Sequence, residues 1–239
     1  MIRLEGVTKR YSTTERNTVT ALFDINLTVE SGEMVAITGP SGSGASTLMN
    51  VLSCLDLPSG GRYLLDGTDV ATLSKRTLAK VRGQRIGCVL HSFDLIPNAS
   101  VRENVELPLL YTRARIRRAR AQVALDRVGL RGHYDDRPID LCAAQLQKAV
   151  IARALINDPA MLLDDEPTGD LDADSAFEIM ELFAELNEAG RTVIFCTHEA
   201  ETAAYARRVV RLRAGRVVSD RSNTPPRRPR RPPPRLSAV

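Results

Sequence analysis

Long apolar runs are absent from this sequence of 239 residues. No stretch approaches the roughly 18 apolar residues of a membrane-spanning helix, and the N-terminal segment lacks the apolar core of a signal peptide. These absences predict a cytoplasmic protein that reaches a membrane only through a partner. Paired cysteines are absent as well, because the four cysteines stand singly at positions 54, 88, 142 and 196. The sequence therefore predicts neither a disulfide framework nor a zinc site.

Acidic residues are absent from the C-terminal segment 221–239, which holds six arginines and six of the 13 prolines. Without those six arginines the chain has 27 basic and 29 acidic residues, so the net charge of +4 comes from this segment. We expect a disordered or polyproline-like tail after a domain spanning 1–220. Its arginines could contact nucleic acid or anionic lipid. An inert, solvated extension is the simpler interpretation, and nucleic acid is not the expected partner.

The order of apolar segments indicates one α/β domain. The first two predicted strands alternate apolar and polar residues, as half-buried antiparallel strands do. From residue 161 onward strands and helices alternate, which predicts a parallel sheet flanked by helices. Between 92 and 140 helices occur without a predicted strand, so we expect a helical subdomain over about 92–157. Strands are predicted over 2–9, 21–29, 34–38, 63–65, 86–90, 161–164, 192–196 and 209–213, and helices over 46–53, 101–111, 117–128, 146–156, 175–189 and 200–206.

Residues 39–47 read GPSGSGAST and lie between an apolar strand and a predicted helix. They fit the pattern G-x-x-x-x-G-K-[ST], in which backbone N–H groups surround phosphates, the lysine neutralises outer oxygens and the hydroxyl holds Mg²⁺. Ala45 stands at the lysine position, and Ser46 supplies the hydroxyl. A plain surface loop is the alternative, but the strand before and the helix after favour an anion site. The predicted nucleotide-binding residues are Gly39, Pro40, Ser41, Gly42, Ser43, Gly44, Ala45, Ser46 and Thr47.

Three acids, Asp164, Asp165 and Glu166, close the apolar strand that begins at Met161. Clustered carboxylates at the end of a buried strand are costly unless a cation or a proton transfer requires them. We predict that Asp165 holds Mg²⁺ and that Glu166 polarises an attacking water, the alternative being that these acids merely begin a loop. His198 follows the next strand, at the same ligand-binding edge of a parallel sheet. A lone histidine is more often structural, yet here it can donate a hydrogen bond to a γ-phosphate.

These ordered motifs resemble the ATP-binding subunits of ABC transporters across residues 1 to about 220. GPSGSGAST resembles the Walker A loop, MLLDDEPTGDLD the Walker B and D-loop motifs, and CTHE the switch-histidine loop. SFDLIPNASVRENVELPLL is similar to the lipoprotein-release, macrolide-export and cell-division branch. The resemblance implies an α/β P-loop NTPase fold with an antiparallel β subdomain and a helical subdomain. It also implies ATP and Mg²⁺ as cofactors, an integral-membrane permease as partner, and a place on the inner face of the cell membrane through that permease.

The same resemblance assigns roles to single residues. Tyr11 falls where an aromatic ring stacks on adenine, the alternative being an exposed aromatic at a strand end. Asp165 falls where Mg²⁺ is held, and Glu166 where the catalytic base lies. Asp172 occupies the position of the D-loop aspartate, and His198 that of the switch.

Three positions depart from the family pattern. Ala45 replaces the Walker A lysine, whose bonds to phosphate are worth about 1.5–3 kcal/mol, so ATP affinity is expected to fall roughly ten- to a hundredfold. His91 replaces the Q-loop glutamine, which links Mg²⁺ and the nucleophilic water to the membrane subunit. Where the family has Leu-Ser-Gly-Gly-Gln, this signature reads Leu141-Cys142-Ala143-Ala144-Gln145. Its thiol is a weak donor, and two Cβ atoms crowd the γ-phosphate.

In this family ATP lies between two subunits, one giving Walker A and the other the signature. A homodimer would carry both defects in each site, and a heterodimer with an intact subunit would carry one per site. The sequence therefore predicts a transport subunit that binds nucleotide and hydrolyses it poorly. Two alternatives stay open: a non-catalytic regulatory or scaffolding protein with the ABC fold, and a fully active transporter ATPase in which other groups replace the lysine.

Overall fold

The structure, a computed structural model, describes residues 1–14, 17–89, 94–110 and 117–223. The first strands form an antiparallel sheet of four strands in the order β2-β1-β4-β5. Each neighbouring pair in this sheet is antiparallel, as the alternation of the first two strands predicts. The strands are β1 (Ile2–Thr14), β2 (Asn17–Val29), β4 (Gly60–Leu65) and β5 (Thr68–Asp69).

A second sheet of six strands has the order β10-β9-β3-β8-β7-β6. Its inner pairs are parallel, and only the edge strand β10 runs antiparallel to β9. The predicted parallel sheet is therefore confirmed. The strands are β3 (Met34–Thr38), β6 (Ile86–Val89), β7 (Met161–Asp165), β8 (Thr192–Thr197), β9 (Arg208–Arg213) and β10 (Arg216–Ser222).

Helices cover both faces of the six-stranded sheet. On one face α1 and the antiparallel sheet bury an apolar cluster with Leu163, and on the other α3 to α6 bury a second cluster with Leu162. Neighbouring side chains of β7 thus serve opposite clusters, as the twofold period of a strand requires. In the described part of the chain, no helix combines the length and apolar content needed to cross a bilayer. The helices are α1 (Ala45–Leu52), α2 (Lys75–Arg85), α3 (Val101–Glu106), α4 (Arg117–Arg127), α5 (Ala143–Leu155), α6 (Ala173–Glu188) and α7 (Ala200–Ala203).

The described parts of the predicted helical subdomain, 94–110 and 117–157, contain helices and no strand. The fully buried Asn104 organises the entry to α3. Its Oδ1 accepts a 2.6 Å hydrogen bond from the N–H of Ile96, and its Nδ2 donates to three carbonyls between Ile96 and Ser100. Ser100 and Glu103 add a reciprocal capping box at the first turn of α3. A single buried amide therefore satisfies a loop that would otherwise leave backbone groups unpaired.

Helix α2 and strands β5 and β10 were not predicted, and some predicted elements have other bounds: β1 extends to Thr14, β2 begins at Asn17 and α7 ends at Ala203. Helix α2 was not predicted because only Leu78 of its residues is buried, which leaves no apolar periodicity to detect. Strand β10 was not predicted because it is a mostly exposed edge strand. It ends at Ser222, two residues beyond the predicted boundary at 220. Asn223 still belongs to the domain, since its Nδ2 donates to the Ala204 and Ala206 carbonyls. The rest of the predicted tail, 224–239, lies outside the described residues.

Candidate functional site

The glycine loop, residues 39–47, comprises the connection from β3 to α1 and the first three residues of α1. Gly42 and Gly44 have φ angles of 77° and 98°, in the left-handed region that glycine adopts without strain. A Cβ on Gly44 would lie 2.6 Å from the Ala21 carbonyl oxygen, so β2 approaches the loop too closely for a side chain. The Ser43 carbonyl accepts a 2.8 Å hydrogen bond from the Gly215 N–H at the β9–β10 turn. Two neighbouring elements thus hold the loop in shape.

Ala45 is the first residue of α1, and it packs against the cluster beneath that helix. Ser46 is exposed on the same turn, and Thr47 is half-buried. No acidic residue lies in the first turn of α1, which leaves its N-terminal N–H groups to an anion. The loop therefore has the backbone geometry of a phosphate site, but it carries a small apolar side chain, Ala45, where the pattern has a charged lysine.

Strand pairing brings the other predicted site residues to the same sheet edge. Thr38, just before the loop, pairs with Thr197, just before His198. Asp165 pairs with Cys196 on the other side of β8. Side-chain alternation places Asp165 on the face of Leu163 and α1, which is the face of the glycine loop. Three separate motifs of the sequence thus meet at the carboxyl ends of β3, β8 and β7.

Glu166 has a φ of 68° and leaves β7 in the left-handed conformation, which is uncommon for a residue with a side chain. Its N–H donates to the Cys196 carbonyl at 3.1 Å, and its Oε1 lies 3.1 Å from Nδ1 of His198. The hydrogen bond to Glu166, together with its negative charge, raises the pKa of His198. The predicted base and the predicted switch are therefore already in contact.

We expect Glu166→Gln to lower the pKa of His198 toward the ordinary histidine value, because the amide carries no charge. The stability that this pair contributes is fully present below the unfolded-state pKa and is lost as pH rises through the raised folded-state pKa. NMR titration of the ring protons of the three histidines measures this, with His198→Asn to assign the resonance. A His198 pKa that stays raised in Glu166→Gln would contradict the assignment.

Asp164 points away from the loop and is buried on the α5 side of β7. Its Oδ2 accepts a 3.2 Å hydrogen bond from Nε2 of Gln147, and its Oδ1 has no hydrogen-bond partner among the described residues. Burial, with the charges of Asp165 and Glu166, holds the pKa of Asp164 well above its usual range. The three consecutive acids therefore do not form one cluster, since Asp164 belongs to the packing of α5.

The signature segment 141–145 begins α5 in the helical subdomain. Cys142 is the N-cap residue with an exposed thiol, and its N–H donates to Oε1 of Gln145 at 3.0 Å. Gln145 also contacts Nε2 of His133 at 3.2 Å, and Leu141 is buried below the turn. Ala143 and Ala144 form the first turn of α5. Helix α5, which this segment begins, packs in one apolar cluster and α1 in the other, so the segment and the glycine loop belong to opposite faces of the sheet.

Three remaining predicted residues lie in different settings. Asp172 is the N-cap of α6, and its Oδ1 accepts a 2.8 Å hydrogen bond from the Ser175 N–H, a structural role that the sequence did not reveal. Tyr11 is half-buried within β1, and its hydroxyl donates to Oδ2 of Asp56 at 2.6 Å. His91 lies outside the described residues.

A hydrogen-bond network that the sequence motifs do not predict lies beside His198. Oε2 of Glu199 accepts 2.8 Å hydrogen bonds from the hydroxyls of Thr168 and Thr202. Thr168 follows the acids of β7, and Thr202 lies in α7, so the network joins the two loops that carry Glu166 and His198. In the sequence, this network could have been found through Glu199, the acidic residue that ends the CTHE motif.

Comparison with known proteins identifies the class of this domain. Residues 22–169 match the sequence profile of the ABC transporter family. The chain also superposes on a post-hydrolysis dimer structure of the ATP-binding cassette MJ0796 bound to ADP and Pi, with a TM-score of 0.87 and 38% identity over 93% of this chain and 99% of that one. The chain therefore belongs to the ABC transporter family, and its fold is that of an ABC ATP-binding cassette, as the motifs imply.

Relatives place the cassette more closely. The chain is 46% identical over 226 residues to the probable syringafactin export ATP-binding/permease protein SyfD of Pseudomonas syringae, covering 94% of this chain and 34% of that protein. It is 43% identical over 222 residues to the macrolide export ATP-binding/permease protein MacB of Escherichia coli, covering 92% and 34%. It is 44% identical to the uncharacterized ABC transporter ATP-binding protein YvrO of Bacillus subtilis, covering 92% and 96%. The chain is similar to the ATP-binding part of these export proteins, and it spans about a third of the length of SyfD and MacB.

Proposed function

We propose that this chain is the ATP-binding subunit of an export transporter, bound to a membrane permease at the inner face of the cell membrane. The observation that carries the proposal is the meeting of the glycine loop, Asp165, Glu166 and His198 at the ends of three adjacent strands. The permease and the membrane location come from the relatives, whose names combine an ATP-binding with a permease protein.

The residues at this edge fit Mg²⁺ and ATP. Ser46 and Asp165 would hold the cation, which neutralises phosphate charge when bound. Oε2 of Glu166 is buried and has no hydrogen-bond partner in the described part of the chain, so it has an acceptor to offer to a water molecule. Glu166 would take the proton of that water, and His198 would donate a hydrogen bond to the terminal phosphate.

Slow hydrolysis is part of the proposal. Ala45 supplies no charge to the outer phosphates, which lowers affinity roughly ten- to a hundredfold and weakens charge neutralisation in the transition state. Ala143 and Ala144 add Cβ atoms at the first turn of α5, where a second subunit would present its phosphates. Since α5 and the glycine loop lie on opposite faces of one chain, a complete site needs two chains, either a homodimer or a heterodimer with another ABC subunit.

A regulatory or scaffolding subunit is the second candidate, favoured by the same altered positions. Such a protein would bind the permease in the absence of nucleotide. For an ATP-driven subunit, the affinity for the permease would instead change when nucleotide binds. Co-purification with the permease in the presence and absence of ATP separates the two functions. A vigorous ATPase rate that Glu166→Gln abolishes would instead establish the fully active transporter ATPase.

The exposed thiol of Cys142 offers a direct test of the two-chain site. Cys54 and Cys196 are buried, and burial raises the pKa of Cys54 to about 11 and that of Cys88 to about 12, so a maleimide should label Cys142 first. We expect saturating ATP with Mg²⁺ to protect this thiol in Glu166→Gln, because closure on a partner's phosphates covers the start of α5. Mass spectrometry of the labelled peptide measures the protection.

Cys142→Ser is the matched control, since it removes the reactive thiol and keeps the N-cap position. It should lose the ATP-sensitive label and retain any slow labelling of Cys88. If ATP binds without protecting Cys142, the result would contradict a site formed between two chains and would favour the scaffolding function.

A further inference from the structure

An ionic network fixes the ring of Tyr11. Asp56, in the turn after α1, divides its two carboxylate oxygens between two partners: Oδ2 accepts a 2.6 Å hydrogen bond from the Tyr11 hydroxyl, and Oδ1 lies 3.1 Å from Nζ of Lys9. Nζ of Lys9 also donates to the Leu57 carbonyl at 3.0 Å, and its side chain is only 12% exposed. Burial alone would raise the pKa of Asp56, but the hydrogen bonds from Tyr11 and Lys9 outweigh it and keep that pKa below its usual value. The carboxylate therefore stays ionised and holds both partners.

The network also covers one face of the ring. Nζ of Lys9 lies over one face, 5.0 Å from the centroid of the Tyr11 ring. A planar ligand can therefore stack only on the opposite face. The ring is thus held between β1 and the turn after α1.

We propose that Asp56 and Lys9 are positioning residues for the adenine end of the nucleotide, acting by pre-orienting the ring of Tyr11. The inference rests on the proposed function, in which this chain binds ATP. An anchored ring loses little rotamer freedom when a base stacks on it, whereas a free ring must be ordered at binding. Stacking of a base on an aromatic side chain is worth about fivefold to more than a hundredfold in affinity. With alanine at position 45, the base contributes a larger share of the total affinity than it would beside a lysine.

The test compares ATP with inorganic tripolyphosphate, which carries the phosphates without a base. Calorimetry in the presence of Mg²⁺ gives the ratio of the affinity for ATP to the affinity for tripolyphosphate. A change at the nucleoside end of the site alters this ratio. A loss of structure in the glycine loop instead lowers both affinities. We expect Tyr11→Ala to reduce the ratio about tenfold or more. Tyr11→Phe, which keeps the ring and loses its anchor, should reduce it about threefold, as should Asp56→Ala. The double variant of Tyr11→Phe and Asp56→Ala should lose little more than either single one, because both break the same contact.

Glu5→Ala is the matched control, since Glu5 is an acid of the same sheet with two arginine partners. It should leave the ratio unchanged. A ratio that falls in Tyr11→Ala and stays at the wild-type value in Tyr11→Phe and Asp56→Ala would overturn the positioning role while nucleotide binding stands. If Asp56→Ala does not fold, Tyr11→Phe decides the question alone. Failure of the wild-type protein to bind either ligand would instead reject the proposed function.

Discussion

Restoring lysine at position 45 is expected to raise ATP affinity about ten- to a hundredfold, because it returns a charge-assisted bond to the outer phosphates. Hydrolysis by a homodimer of Ala45→Lys should nevertheless stay near the wild-type rate. Each ATP site would still be completed by the signature segment of the other chain. In that segment Cys142 supplies a thiol, and Ala143 and Ala144 add two Cβ atoms. In this single variant the affinity for ATP should therefore rise while the hydrolysis rate stays near that of the wild type.

Adding Cys142→Ser, Ala143→Gly and Ala144→Gly should raise hydrolysis by orders of magnitude over Ala45→Lys alone. The serine restores a stronger donor than the thiol, and the two glycines let the start of α5 approach the phosphate closely. Groups that act as one unit give strongly non-additive rates, so the triple signature repair without the lysine should recover little. Nucleotide titration and steady-state ATPase assays of the three variants measure these effects.

Glu166→Gln in the fully repaired background is the control, because it removes the general base and leaves the binding residues in place. It should bind ATP tightly and hydrolyse little. A repaired protein that binds ATP, dimerises and remains inert would show that the block lies outside these four positions, and the altered loop and signature would then not be the cause of slow hydrolysis. His91→Gln, added last, is expected to improve coupling to the permease.

The parts of the fold with strong apolar patterns could be predicted from the sequence. Strand β3 was predicted with its observed bounds, Met34–Thr38, because a short apolar run buried on both faces leaves little ambiguity. Helix α2 could not be predicted, since a helix with one buried residue carries no periodic signal. Strand β10 pairs through its backbone at a sheet edge, and backbone pairing leaves little trace in residue types.

The candidate site likewise contains residues that could be predicted from the sequence and contacts that could not. The loop, Asp165, Glu166 and His198 were predicted because each motif follows a strand of a parallel sheet, and strand ends converge. The contact between Asp56 and Tyr11 could not be predicted, because it joins residues 45 positions apart. The burial of Asp164 was also missed: alternation along β7 sends it to the opposite face from Asp165, where Gln147 of α5 meets it.

The second large effect is expected from Gly44→Ala, compared with Gly42→Ala in the same loop. Both glycines have a positive φ, 98° and 77°, so both substitutions carry a similar backbone strain of about 1–2 kcal/mol. They differ in what a Cβ would meet. At Gly42 nothing lies within 4 Å, whereas at Gly44 the Ala21 carbonyl oxygen would lie at 2.6 Å and a Leu22 methyl at 3.0 Å. Gly44→Ala therefore adds about 1–3 kcal/mol of overpacking to the strain.

The clash at Gly44 involves backbone, so relief requires β2 to move away from the loop or the loop to move away from Gly215, whose N–H bonds to Ser43. We expect the melting temperature without nucleotide to fall by on the order of 10 °C in Gly44→Ala and by about half of that or less in Gly42→Ala. Thermal and denaturant unfolding of both variants measure the difference, and Gly132→Ala, with φ of 93° and open space around its Cβ, reports the strain alone at a distant site. Equal losses in Gly44→Ala and Gly42→Ala would show that backbone conformation decides the stability of this loop. In that case the close approach of β2 would not be what requires a glycine directly before Ala45.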